Sequence, residues 1–286
     1  MQEFETLLIG GTGFIGEHLL RELSSDSSRI AVFHSGKSIR VSSLKVFYFC
    51  DNNGECFFDT IVKQASRIVF LVQPNPELLK RTLSLIGDDE SKTLLYASSL
   101  MLYKGGKTPQ KETDELDPVT AYAKQKREEE RILSAFSLDH KNARIIIARL
   151  GNVYGGVKNR GLTGLIFESL FRQPKEITLS PDGSQVRDFI FIDDVVKALR
   201  SLLMSSRSGL MTVNVSTGKG TSLLELVRKI EKVSGKKVHY HFGPDVNETL
   251  SVIGNNSSLL SHIGWRPSVS MEQGLRDTLK QYMIKK

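Results

Sequence analysis

Apolar residues run through this chain in short unbroken blocks, set apart by amphipathic stretches. Thr6-Leu7-Leu8-Ile9 predicts a buried strand, and the glycines after it lead into an amphipathic run, Phe14 to Leu23, that predicts a helix. Further strands are predicted at Ile30 to Phe33, Val46 to Phe49, Arg67 to Val72, Thr93 to Ala97 and Arg144 to Ala148. Continuous apolar strands alternating with helical segments belong to a parallel sheet covered on both faces, which right-handed crossovers make a doubly wound α/β sheet. After Arg149 the texture changes to short elements among Gly-, Asn- and Pro-containing loops. Helices are predicted at Leu162 to Phe171, Leu223 to Val233 and Met271 to Met283, with a strand at Val186 to Ile192.

At 286 residues the chain is long enough for one large domain or two intimately joined ones. No apolar run approaches the roughly 18 residues of a membrane span. The acidic start, Met1 to Glu5, passes directly into a strand and does not read as a signal peptide. Cys50 and Cys56 form neither a disulfide framework nor a metal-type cluster, so a reduced cytoplasm and no metal are expected. The net charge of +7 is spread along the chain, and its densest cluster (Lys124, Lys126, Arg127, Arg131) is answered by Glu128, Glu129 and Glu130. A basic stripe with stacking aromatics is missing, which argues against nucleic acid and leaves small anionic ligands as the use of the charge.

The chemistry starts at Gly10-Gly11-Thr12-Gly13-Phe14-Ile15-Gly16, which stands between a predicted strand and a predicted helix. Gly10 suits a tight turn, Gly13 a close approach of backbone to a pyrophosphate, and Gly16 a helix packed against the strand. A dinucleotide is therefore expected here. At the end of the second strand, His34-Ser35-Gly36-Lys37-Ser38-Ile39-Arg40 carries no carboxylate to hold ribose hydroxyls. Ser35, Lys37 and Arg40 offer partners for a 2′-phosphate instead, favouring NADP over NAD; the other reading is an exposed polar turn. Tyr122 and Lys126 sit four apart, on one face of a predicted helix, with Ser99 upstream at the end of an apolar run. An ammonium lowers the pKa of a nearby phenol and brings proton exchange with a sugar hydroxyl within reach. Without the other motifs the pair reads first as two solvated helix residues.

Together, the glycine loop, Ser99 and Tyr122-x-x-x-Lys126 resemble the extended short-chain dehydrogenase/reductase family, in its nucleotide-sugar epimerase, dehydratase and reductase branch. Ala97-Ser98-Ser99-Leu100-Met101-Leu102-Tyr103 and Arg149-Leu150-Gly151-Asn152-Val153-Tyr154-Gly155 match in order. So do Gln185 to Asp194, Asn214-Val215-Ser216-Thr217-Gly218 and Ile263-Gly264-Trp265-Arg266-Pro267. The resemblance implies a Rossmann-type sheet, with residues 1–155 and a returning 186–215 binding dinucleotide, and residues 156–185 and 216–286 binding substrate. It implies that Tyr122 exchanges the proton, Lys126 holds the nicotinamide ribose and Ser99 hydrogen-bonds the reacting oxygen. Thr12, Phe14, Ile15, His34, Val72, Ala97 and Val153 fall at cofactor positions, and Tyr103, Asn152 and Arg187 at substrate positions. Arg187 suits a diphosphate, with a salt bridge to Asp188 or a neighbour as its other reading; Asp51 is either the residue that meets adenine or a turn aspartate. A homodimer through the Tyr–Lys helix is also implied, although the run Lys124 to Arg131 is highly charged for such a seam.

Departures narrow the chemistry. Leu100 and Met101 follow Ser99 where 4,6-dehydratases of the family place a carboxylate pair, and the glutamate of related decarboxylases is absent. Cys50 and Cys56 lie far upstream of Ser99, unlike the cysteine of C3/C5 epimerases. At the fourth strand, Leu71-Val72-Gln73-Pro74 replaces a small-residue turn, and Gly243 to Glu248 lacks the arginine that is a second diphosphate ligand in many relatives. The leading expectation is NADPH-dependent reduction of a nucleotide-linked 4-keto sugar, with Tyr122 as proton donor. The alternative is a nucleotide-sugar 4-epimerase with retained NAD. A non-catalytic dinucleotide-binding protein ranks third, because Ser99, Tyr122 and Lys126 are all retained.

Overall fold

The apolar blocks of the N-terminal half become β1 (Thr6–Ile9), β2 (Ile30–His34), β3 (Val46–Cys50), β4 (Arg67–Phe70) and β5 (Thr93–Ser99). Helices α1 (Phe14–Ser24), α2 (Glu55–Gln64), α3 (Pro76–Ile86) and α4 (Ala121–Asp139) accompany them. The rest of the chain forms β6 (Arg144–Leu150), β7 (Asn152–Tyr154), α5 (Leu162–Phe171), β8 (Ile177–Leu179), β9 (Val186–Phe191), α6 (Ile192–Met204) and β10 (Leu210–Val215). It ends with β11 (Gly220–Ser222), α7 (Leu223–Ser234), β12 (Tyr240–Phe242), β13 (Ser251–Val252), α8 (Ser257–Ile263) and α9 (Met271–Ile284). This computed structural model describes residues 4–24, 29–34, 46–50, 55–205, 209–244 and 251–284.

Two units result. The first comprises Met1–Ser98, Lys124–Arg149 and Val196–Val213; the second comprises Ser99–Ala123, Leu150–Val195 and Asn214–Lys286. In the first, seven strands follow the order β10-β6-β5-β4-β1-β2-β3, and β1 to β5 pair in parallel. This is the doubly wound Rossmann-type sheet expected from the apolar blocks. Leu7, Ile68 and Leu94 are register partners across β1, β4 and β5, and all three are fully enclosed. Strands covered on both faces need such unbroken apolar runs. Strand order reverses between β1 and β4, and in open sheets of this kind ligands bind outside the carboxyl ends of the strands at that point. The loops that leave β1 and β4 there are the glycine turn and Leu71-Val72-Gln73-Pro74.

Boundaries depart from expectation where polar capping takes over. β4 ends at Phe70, two residues early, and the chain turns into α3, whose cap Asn75 accepts from Leu78 N at 3.1 Å ahead of Pro76. β9 ends at Phe191 and passes into α6 at Ile192. Thr120 Oγ1 accepts from Ala123 N at 3.1 Å at the head of α4.

The second unit is built around β9, flanked by antiparallel β11 and parallel β7 and β13, with β8 and β12 paired separately. Buried Asp188 on β9 ties loops to this sheet, accepting from Thr217 N and Oγ1 at 2.8 and 2.6 Å, Gly218 N at 2.9 Å and Gly254 N at 3.3 Å. Among the described residues no helix is long and apolar enough to cross a membrane.

Candidate active site

Directly after β1, Gly10 turns with φ +84°, in the left-handed region that glycine adopts freely. Its N–H donates to Phe33 O at 2.9 Å, and its own carbonyl receives Gly13 N at 3.0 Å. Helix α1 backs closely onto this turn: a Cβ at Gly16 would stand 2.6 Å from both Gly10 O and Gly11 Cα. Among the described residues, a Cβ added at exposed Gly13 would meet Gly10 O alone, at 3.3 Å, which leaves room beside it at the head of α1. That combination fits a pyrophosphate set against backbone amides at a helix N-terminus. Thr12, Phe14 and Ile15 line the turn half-buried, with the Phe14 ring edge-on to His18.

Lys126, one turn into α4, is buried within the first unit. Its Nζ donates to Ala97 O at 3.0 Å and Val72 O at 3.4 Å, and lies 4.4 Å from the centre of the Tyr96 ring. Val72 is also what a Cβ at Gly10 would strike, at 2.8 Å from Cγ1. The ends of β1, β4 and β5 thus bring the glycine turn, Val72, Ala97 and Lys126 together. Burial lowers the Lys126 ammonium to about 8, against the opposing pull of Glu129 and Glu130.

Ser99 ends β5 with extended backbone and caps the short turn Leu100–Leu102, its Oγ accepting from Met101 N at 3.2 Å. Accepting there leaves the hydroxyl proton to donate elsewhere. Leu100 is buried in a cluster with Tyr103 and Val252, against which Met101 packs. Tyr122 lies in the first turn of α4, 40% exposed and four residues before Lys126.

On the expected substrate side, Asn152 is exposed at the start of β7, and half-buried Val153 pairs with Ile190. Arg187 is buried on β9, its Nη2 donating to Gln185 Oε1 at 3.2 Å and its Nη1 to Val186 O at 2.9 Å. Successive strand residues face opposite sides, and the Asp188 carboxylate is committed to the loop amides named above. One expectation is corrected: Tyr103 is fully enclosed, and its hydroxyl donates to Asn214 Oδ1 at 2.7 Å. It is a core residue of the second unit and offers a substrate no surface. Asn214, also fully buried, holds Gln110 O at 2.9 Å and Asn255 O at 3.1 Å, so the Asn214–Gly218 motif serves the fold. On the cofactor side, His34 closes β2, buried with its ring against Tyr48. Ser35, Lys37, Arg40 and Asp51 lie outside the described residues.

Glu129 and Glu130 were read from the sequence as counterions in a charged run, yet both are buried in the first unit. Glu130 Oε2 takes Arg149 Nη2 at 2.7 Å, and its Oε1 takes Arg149 Nε at 3.0 Å and Ser98 Oγ at 2.6 Å. Glu129 Oε1 takes Asn75 N at 2.7 Å; its Oε2 takes the Tyr96 hydroxyl and stands 3.6 Å from Lys126 Nζ. The available signal was the spacing: three and four residues after Lys126, both carboxylates fall on the helix face that Lys126 shares. A separate open cavity of about 660 Å³ in the first unit is lined by Arg67, Thr93 and Arg144, at the opposite strand ends from the glycine turn, and touches none of these motifs.

Comparison with known proteins gives the family and the fold. Residues 63–216 match the NAD dependent epimerase/dehydratase family. The dTDP-L-rhamnose 4-epimerase of Burkholderia thailandensis is 32% identical over 171 residues, a match covering 55% of this chain and 45% of that enzyme. An uncharacterised UDP-glucose epimerase of Bacillus subtilis, YtcB, is 24% identical over 96% of each chain. The fold is shared with MoeE5 in complex with UDP-glucuronic acid and NAD, with a TM-score of 0.88 and 20% identity over 98% of this chain and 99% of that one.

Proposed function

This chain belongs to the NAD-dependent epimerase/dehydratase family of extended short-chain dehydrogenase/reductases, and from that premise we propose that it is a nucleotide-sugar 4-epimerase working with NAD. The observation that carries the reading is the junction at Val72, which joins the glycine turn to the buried ammonium of Lys126. The junction fits a dinucleotide in either enzymatic reading, and the relatives' epimerase names put this one ahead of the reductase expected from the sequence. The two relatives compared above carry epimerase names, and the solved structure compared above was determined with NAD.

The first unit would hold the dinucleotide, with the backbone of Gly10 to Gly16 on the pyrophosphate and Lys126 on the nicotinamide ribose. A bound nicotinamide would supply reversible hydride exchange with C4 of the sugar. Tyr122 takes the proton of the C4 hydroxyl as C4 is oxidised, and returns it to the oxygen after the sugar has presented its other face. Ser99 donates a hydrogen bond to that oxygen, and Lys126 favours the ionised form of Tyr122 through its charge. Arg187 and Asn152 serve the nucleotide sugar, Arg187 through its planar fork on the diphosphate. Apolar Leu100 and Met101 supply no acid or base for dehydration, which supports C4 chemistry alone.

NADPH-dependent reduction of a 4-keto sugar is the second reading, favoured by Lys37 and Arg40 in a turn with no carboxylate. Mass spectrometry of the cofactor released by denaturing the purified protein decides between them. The epimerase reading expects stoichiometric NAD, together with interconversion of C4 epimers of a UDP- or dTDP-sugar without added reductant. An empty protein that binds NADPH over NADH, with affinity lost on replacing Lys37 and Arg40 by alanine, would overturn it.

A further inference from the structure

We propose that Glu129 is a positioning residue for Lys126, and that through Asn75 it also sets the turn supporting the cofactor loop. The inference rests on Lys126 serving the dinucleotide, as argued above.

An ammonium so enclosed is held in its charged form only by what surrounds it. From β5 it meets the Ala97 carbonyl and the Tyr96 ring, and from the β4–α3 turn the Val72 carbonyl. On its own helix it meets Glu129 and, more distantly, Glu130, with Tyr122 one turn back. Both oxygens of Glu130 are engaged by Arg149 and Ser98, and Arg127 adds a further contact at 3.7 Å. Glu129, with Oε2 at 3.6 Å from Nζ, is the carboxylate that acts on Lys126 most directly.

The bonds of Glu129 fix where that charge stands. The Tyr96 hydroxyl donates to Oε2, the oxygen 3.6 Å from Lys126 Nζ. Oε1 holds the amide of Asn75, the cap of α3, at the far end of the turn that contains Val72. Val72 in turn abuts Gly10 and receives Lys126. One buried carboxylate thus pins the ammonium and the turn it rests on. This gives a role to the bulky Leu71-Val72-Gln73-Pro74 turn, which stands where the family usually has small residues.

The test compares wild type with Glu129→Gln, which keeps the side chain's size and removes its charge. Protein carrying ¹³C at lysine Cε is titrated by NMR, with the Lys126 signal assigned from its loss in Lys126→Met. The Lys126 midpoint should fall by about one to three pH units in Glu129→Gln. NADH affinity of the variant, read by fluorescence, should be about tenfold weaker than wild type at pH 8 and recover towards pH 6. Glu129→Asp, which keeps the charge on a shorter stem, should lie between the two and carries the test if Glu129→Gln does not fold. An unchanged midpoint overturns the proposal, and so does a lowered midpoint with unchanged affinity at pH 8. Failure of the epimerase reading would appear instead as absent turnover in wild type, with both readouts still measurable.

Discussion

Lys126 donates to the carbonyl of Val72 at 3.4 Å, and the side chain of Val72 fills the space that a Cβ at Gly10 would need. Two motifs 116 positions apart in sequence, Gly10 and Lys126, are thereby brought onto one residue at the reversal of the sheet. Ligands of doubly wound sheets bind at that reversal because diverging loops leave a crevice there.

Tyr122→Phe removes the proposed proton carrier and nothing else of size. Tyr122 is 40% exposed, so the change should cost no more than about 1 kcal/mol in unfolding. Epimerisation should fall about a hundred- to ten-thousandfold, with dinucleotide content unchanged. Turnover at the wild-type rate would remove Tyr122 from the mechanism.

Gly16 and Gly13 should separate folding from binding. Alanine at Gly16 would put its Cβ 2.6 Å from backbone atoms of Gly10 and Gly11, which cannot swing aside as a flexible side chain would. A loss of about 1–3 kcal/mol in denaturant unfolding is expected. Among the described residues, alanine at Gly13 meets Gly10 O alone, at 3.3 Å, and should cost less stability while weakening dinucleotide binding more. Equal effects of both variants on both measurements would mean that the open space at Gly13 is not where the pyrophosphate lies.

The sheet and the glycine turn were legible because each is written locally. Two-sided burial demands unbroken apolar strands such as Arg67 to Phe70, and a tight turn against a helix demands glycine. Tyr122 and Lys126 were legible from helical spacing together with the family's motifs. Glu129 and Glu130 were not, because a run of alternating charge reads as a solvated face until tertiary partners are known. Tyr96, Ser98, Asn75 and Arg149 come from β5, the β4–α3 turn and β6, and no local pattern announces that they converge on α4. Tyr103 was misplaced for the same reason: its motif position suggested a ligand, while its hydroxyl is taken by Asn214, 111 residues away in sequence.

The Arg149–Glu130 pair should behave as a buried ion pair. Arg149→Met leaves a carboxylate enclosed with Ser98 Oγ and the more distant Arg127, and about 3–5 kcal/mol of stability should be lost. Adding Glu130→Gln removes the stranded charge and should restore much of that loss. A double-mutant cycle in urea checks this, and strict additivity of the two single changes would show that the pair is not coupled.

Lys126 predicts two opposite trends with pH. Burial holds its ammonium at about 8, below the ordinary 10.5 that it regains in the unfolded chain. Below pH 8 both states carry the proton, and the cost of enclosing the charge is felt in full. Between about 8 and 10.5 the unfolded state binds more protons at this site than the folded state, so its contribution to stability rises with pH, by about 3 kcal/mol across the window. Dinucleotide affinity should move the other way, because the charged form proposed to hold the ribose is lost as pH rises through about 8. Urea unfolding of wild type and Lys126→Met from pH 7 to 10 isolates the first trend, since only wild type titrates here. NADH titrations over the same range give the second. A wild-type stability that does not gain on Lys126→Met across this window would mean that the ammonium is better solvated than its burial among Tyr96, Val72 and Ala97 implies.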